Sequence, residues 1–169
     1  MNKNAISDKS RALDERNSWG TPDYVFDYFD KRFDFTVDAA ASEKNAKVAV
    51  HWNIDDDWFS ACRDELVREG FTRAWCNPPY SNIKPWIERA RKDRAEGILT
   101  ALLVPSTPDA GWWPDDANEY IFITNGRLAF IDPTTGKPKN GNAKGSVLIV
   151  FIPHAPTGVV KFLKRDEMK

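Results

Sequence analysis

Four consecutive residues, Asn77-Pro78-Pro79-Tyr80, combine a side-chain amide, two rigid imino acids and an aromatic ring. The prolines fix the backbone and remove two N–H donors, which leaves carbonyl oxygens free to accept. Asn77 Oδ1 and the Pro78 carbonyl could then each accept a hydrogen bond from one –NH2 group. Such a pair suits an amine conjugated to a ring, which is a poor nucleophile because its lone pair is delocalised. Two acceptors, one on each N–H, favour a pyramidal nitrogen and turn the lone pair toward an electrophile. Pro79 would act as a rigid hinge, and Tyr80 would offer its face to a planar group drawn out of a stack. The same four residues also suit a turn that ends a strand, and spacing alone leaves both readings open.

The elements around the tetrapeptide decide whether it faces anything. Thr72 to Cys76 reads as a short strand running straight into Asn77. Upstream, Phe33-Asp34-Phe35-Thr36-Val37-Asp38 alternates as a strand does and ends on a carboxylate, before Ala39-Ala40-Ala41-Ser42. Thr21-Pro22 predicts a helix start, with Thr21 as N-cap and Pro22 in the first position; Val25, Phe26 and Phe29 continue it to about Lys31. Residues 46–52 read equally as a helix or a short second strand. A helix over 58–69 is expected to stop at Gly70, and another over 85–96 at Gly97. Residues 98–104 form a continuous apolar run, as in a buried parallel strand, terminated by Pro105. Short strands are expected at 120–123 and 127–130 around Asn125-Gly126, then a long loop over 132–144 and a last strand over 145–152. The division expected is a flexible leader over 1–17, one domain over 18–155 and a polar tail over 156–169.

Strands alternating with helices, then clustered strands, predict a compact α/β sheet with an antiparallel C-terminal edge. Ligands in such sheets sit at the carboxyl ends of the strands, where both Asp38 and Asn77 fall. The stretch between them is short, so one βα unit is expected to be shortened or missing.

Composition narrows the classes. The formal net charge of −1 over 169 residues argues against a protein held on nucleic acid by bulk electrostatics alone, while permitting a local basic patch. No apolar run is long enough for a membrane span, and the polar N-terminus lacks a signal-peptide layout, so a cytoplasmic protein is expected. The two cysteines and two histidines are too few and too scattered to predict a disulfide framework or a metal site. Seven tryptophans could fill a core, although several flank polar loops where they could stack on flat rings.

The tetrapeptide resembles the (Asp/Asn/Ser)-Pro-Pro-(Tyr/Phe/Trp) motif of amino-methyltransferases, which act on adenine N6, cytosine N4 or a glutamine amide. In order along the chain, Thr21-Pro22, Asp38 with its small residues, Asn77-Pro78-Pro79-Tyr80 and Leu103-Val104-Pro105 resemble the phage-type DNA N6-adenine methyltransferases, the Dam-like phage family. The likeness includes Gly126-Arg127-Leu128-Ala129-Phe130 and Gly145-Ser146-Val147-Leu148-Ile149-Val150-Phe151. It implies a Rossmann-like S-adenosylmethionine-dependent methyltransferase sheet acting on a flipped adenine in double-stranded DNA. It also implies a phage- or prophage-encoded protein of the bacterial cytoplasm, expected as a monomer or weak dimer. The alternatives are an N4-cytosine or other amino-methyltransferase, and a non-catalytic DNA-binding module.

On the cofactor side, Trp19, Thr21 and Pro22 resemble the segment that closes over the methionine end of S-adenosylmethionine, with Thr21 offering a hydroxyl to its carboxylate. Asp38 matches the acidic residue expected to receive the cofactor's amino group. The usual glycines after that strand are replaced here by alanines, with Ser42 and Asn45 as weaker candidates and Asn77 shared with the catalytic set. Within Asp55-Asp56-Asp57, Asp57 is favoured for the cofactor, although an acidic turn capping the next helix reads as well. DNA contacts are expected from a target-recognition loop over about 126–144, through Arg127, Lys137, Lys139, Asn140, Asn142 and Lys144. A second candidate is the helix face of Arg89, Arg91, Lys92 and Arg94. Trp112-Trp113 could stack on a base or wedge into a duplex, or simply pack on the sheet.

Overall fold

The computed structural model describes residues 18–53, 57–139 and 142–169, so the expected leader, Asp55, Asp56 and Asn140 lie outside the described residues. In chain order the elements are α1 (Asp23–Phe33), β1 (Val37–Asp38), α2 (Arg63–Arg68), β2 (Arg73–Cys76), α3 (Lys84–Ala95), β3 (Leu99–Pro105), β4 (Glu119–Thr124), β5 (Phe130–Ile131), β6 (Pro138–Lys139), β7 (Ser146–Phe151) and β8 (Val159–Lys164). A 3-10 turn, Arg165–Met168, follows.

Among the described residues a six-stranded sheet runs β1-β2-β3-β7-β4-β8, and β5 pairs with β6 in a small separate sheet. β1, β2 and β3 are parallel; β7 is antiparallel to both β3 and β4; β8 is parallel to β4. Alternate side chains of a strand go to opposite faces, so β3 and β7 feed two cores. Leu102, Val104, Val147, Ile149 and Phe151 pack with Leu66, Ile87 and Ala90 of α2 and α3. Ala101, Leu103, Leu148 and Val150 pack with Trp75 and with Val25, Phe26, Phe29 and Phe33 of α1. Cover on both faces is why these strands read as unbroken apolar runs.

Several expectations are corrected. The antiparallel strand is not at the edge: β7 lies inside the sheet and the outer strand, β8, is parallel to its neighbour. Residues 127–129 form no strand, and β5 pairs with β6 rather than β4, because both edges of β4 are occupied by β7 and β8. The expected polar tail carries β8 and the 3-10 turn. It is bound through the backbone ladder, and it buries only Leu163 and Met168, which is why composition alone missed it. Thr21 does not cap α1: Pro22 holds the N-cap position without a side-chain cap bond. β1 is shorter than expected, because α1 runs on to the buried Phe33 and then turns through Asp34 in the left-handed region, φ 50°. α2 begins only at Arg63, after a turn at 58–60 that buries Trp58.

Residues 46–52 are neither helix nor full strand. A single bridge, Asp38 to His51, is what remains of a strand beside β1, in keeping with the shortened βα unit expected. Among the described residues no helix is long and apolar enough to cross a membrane.

Candidate active site

β1 and β2 lie side by side in parallel register, Val37 opposite Ala74 and Asp38 opposite Trp75, so both strands finish at the same carboxyl-end rim of the sheet. Asn77 leaves that rim with its side chain fixed, Nδ2 donating to the Trp19 carbonyl at 3.0 Å. With the amide nitrogen so engaged, Oδ1 is the atom of the amide left to accept. Pro78 is buried behind it. The Tyr80 hydroxyl donates to the Leu103 carbonyl on β3 at 3.2 Å, and burial pushes its ionisation far above the ordinary phenol range, so it stays a neutral donor. The Tyr80 ring meets Phe130 edge-on, centroids 6.1 Å apart, and is thereby braced from the side.

The carbonyl that holds Asn77 belongs to a strap, residues 18–22, tied down at three places. Gly20 exchanges both backbone hydrogen bonds with Ile131 of β5, at 2.9 and 2.8 Å. Asn45 Nδ2 donates to the Ser18 carbonyl at 3.2 Å. Asn77 supplies the third tie, and the Lys139 ammonium stands over the Trp19 ring at 5.1 Å. Thr21 sits in this strap only 2% exposed, and its Oγ1 is a buried atom without a hydrogen-bond partner among the described residues. A hydroxyl left so costs about 1–3 kcal/mol unless a ligand engages it.

Asp38 is 2% exposed at the end of β1. Its Oδ1 accepts from the Ala40 amide at 3.3 Å and its Oδ2 from the Lys47 amide at 3.0 Å, so the carboxylate braces the loop that follows. Desolvation raises its pKa to about 6, against the opposing pull of those two amides. The alanine row extends the strand pairing: the Ala39 amide donates to Trp75 O and the Ala41 amide to Trp52 O, both within the sheet side of the loop. Ser42 is exposed, and its amide and hydroxyl both donate to Asn45 Oδ1, at 2.6 and 3.0 Å. Asn45 therefore joins the loop after β1 to the strap. Asp57 is exposed, and its Oδ1 accepts from the Phe59 amide at 3.1 Å, the bond of an aspartate capping its own turn.

Of the residues expected to meet DNA, Arg127, Lys137, Lys139 and Lys144 are exposed, and Asn142 accepts from the Lys144 amide at 3.4 Å. The α3 face is largely committed within the protein. Arg89 pairs with Asp93 and Glu96, while Arg91 and Arg94 pair with Asp116. Trp112 and Trp113 pack on the sheet: Trp113 stacks on Tyr120 at 5.8 Å and on Phe122 at 6.1 Å. Ile131, which braces the strap, was not singled out from sequence, and Phe130, which braces Tyr80, entered only as the end of the likeness over 126–130, with no role in the site. Their pairing with residues far along the chain leaves no local periodicity to read.

The family model described as DNA N-6-adenine-methyltransferase (Dam) matches residues 9–169. A protein of Haemophilus phage HP1 (strain HP1c1) named DNA N-6-adenine-methyltransferase is 31% identical over 164 residues, covering 92% of this chain and 91% of that protein. A protein of the same name from Escherichia phage T1 is 28% identical over 160 residues, covering 80% of this chain and 63% of the relative. No solved structure matches to a significant degree.

Proposed function

The chain belongs to the DNA N-6-adenine-methyltransferase family, and from that membership we propose that Asn77 and the Pro78 carbonyl hold an adenine amine for direct methyl transfer. The protein is an enzyme that methylates adenine N6 in DNA. The observation that carries the catalytic assignment is the Asn77 Nδ2 bond to the Trp19 carbonyl, which commits the amide nitrogen and leaves Oδ1 as the acceptor. Oδ1 takes one N–H of the amine and the Pro78 carbonyl takes the other, so the nitrogen lone pair is localised for attack and one proton leaves to water. Pro79 keeps the loop rigid, and the braced Tyr80 ring offers a face to the base once it has left the duplex.

S-adenosylmethionine, implied by the family, supplies when bound a methyl group on a sulfonium whose departing electron pair stays on sulfur. The residues fit it: the unpartnered Thr21 hydroxyl suits a carboxylate, and Asp38 complements an ammonium. Trp19, Pro22, Ser42, Asp57 and Asn77 complete the proposed set. Three parallel strands followed by an antiparallel β7 between β3 and β4 support a Rossmann-like methyltransferase sheet. The double-stranded substrate is met, in this reading, by the 126–144 segment through Arg127, Lys137, Lys139, Asn140, Asn142 and Lys144.

The test is methylation of plasmid DNA with a labelled cofactor by Asn77→Ala, followed by separation of the nucleosides. Wild type is expected to place label in N6-methyladenine, and the variant to lose it while largely retaining cofactor binding through Thr21 and Asp38. Near-normal transfer by the variant would overturn the assignment of Asn77.

A further inference from the structure

A cleft of about 410 Å³ opens beside the strap, and its walls carry Arg127, Arg165 and Lys169 against Asp23. Asp23 is already held by Lys47, and the three cations face one further carboxylate, Asp166, so a positive surplus remains, with Arg127 outside these pairs. Pro22 of the strap and Ile131, the partner of Gly20, belong to the same wall, so the cleft borders the strap whose Trp19 carbonyl holds Asn77. Asp166 Oδ1 accepts from Arg165 Nε and Nη2, at 3.2 and 3.1 Å, and pairs with the Lys169 ammonium at 3.0 Å, so the two cations share one carboxylate.

Arg165 is seated by a glycine. A Cβ at Gly126, where φ is +131°, would come within 2.5 Å of Arg165 Nη1 and 2.6 Å of its Cζ. The same Nη1 donates to the Arg127 carbonyl at 3.4 Å. The turn and the C-terminal element are thus built to lie against each other. The Arg127 side chain is exposed and has no ion-pair partner among the described residues.

We propose that this cleft grips a phosphodiester of the DNA strand flanking the target adenine, with Arg127 and Arg165 as its paired cations. The proposal rests on the methyltransferase reading and extends it to residues beyond the expected recognition loop. The exposed Arg127 guanidinium matches phosphate oxygens in geometry as well as charge, while Arg165, whose Nε and Nη2 donate to Asp166, adds charge beside it. In a chain of net charge −1, affinity for a polyanion has to come from such a local concentration.

The experiment uses the full chain with S-adenosylhomocysteine bound, titrated onto a short fluorescent DNA duplex over a range of salt. Arg127→Gln and Arg165→Gln are each expected to weaken duplex binding about tenfold and to lower the slope of log Kd against log salt by about 1. Arg165→Lys is expected to recover most of the affinity, which separates charge from packing. Affinity for S-adenosylhomocysteine, read by calorimetry, is expected to stay at the wild-type value. Unchanged duplex affinity and salt slope in Arg127→Gln would overturn the proposal, as would a loss falling on cofactor binding instead. Should Arg165→Gln fail to fold, the exposed Arg127 decides alone. Asn77→Ala keeps the two ideas apart, since it is expected to lose transfer while retaining duplex affinity and salt slope.

Discussion

Because Asn77 Nδ2 is held by the Trp19 carbonyl, the orientation of its amide is set before a base arrives. Preorganised polar groups of this kind contribute roughly 100- to 1,000-fold to rate, and a loss of that size is expected in single-turnover transfer by Asn77→Ala. Asp38 sets up a conflict at the same scale. Its folded pKa of about 6 stands above the 3.8 of an ordinary aspartate, so between those values the folded state binds more protons than the unfolded chain. Its contribution therefore favours folding most at low pH and loses about 3 kcal/mol as pH rises through that window. Binding an ammonium has the opposite requirement, because only the carboxylate attracts it. Affinity for S-adenosylhomocysteine is accordingly expected to fall as pH drops below about 6, and Asp38→Asn to lose that acid limb. Calorimetry across the window, paired with denaturant unfolding of both proteins, checks the two signs. An affinity that stays flat there in wild type would remove Asp38 as the partner of the ammonium.

Among the elements, the strap and the turn before α2 show how far local sequence carries. The placing of Asn77 and Asp38 at strand ends was readable because each closes a short β-rich run, and strand ends are where sheets place ligands. Thr21-Pro22 gave the position of α1 but not the part played by Thr21, whose hydroxyl is turned into the protein instead of capping. The docking of Gly20 on Ile131 joins segments far apart in the chain, and no pattern within either one announces it. The start of α2 shows a different effect. Arg63, 6% exposed, is drawn inward to Asp93, 0% exposed, at 2.9 Å, and its Nη1 also donates to the Trp58 and Ala61 carbonyls. Arg89 reaches the same Asp93 oxygen at 2.7 Å. Replacing Asp93 by alanine would leave buried guanidinium charge uncompensated, and a loss of about 3–5 kcal/mol is expected in urea unfolding. A change below about 1 kcal/mol would show that the network does not hold α2 and α3 together.

Over the whole molecule, the parallel half of the sheet was legible and the other half was not. β3 is apolar along its length because it is covered on both faces, and periodicity reports that directly. The order of β7, β4 and β8 depends on which edges are free when each strand arrives, a property of topology and not of composition. β8 illustrates it: five of its residues stay exposed, and the backbone ladder to β4 from Glu119–Val159 through Thr124–Lys164 holds it in place.

The insertion of β7 between β3 and β4 also fixes a timetable for synthesis. On the ribosome β4 emerges before β7, yet it has no partner in the nascent sheet until Ser146 to Phe151 have left the exit tunnel. Until then β3 and β4 both expose unpaired edges, the condition under which strands find wrong partners. Nascent chains stalled before β7 is clear are therefore expected to be cut rapidly by protease, and chains stalled just after it to become resistant. Equal resistance on both sides of that point would mean that the sheet closes by another route. The strand that completes the hydrophobic centre is thus also the one whose late arrival leaves the unfinished protein most dependent on chaperones.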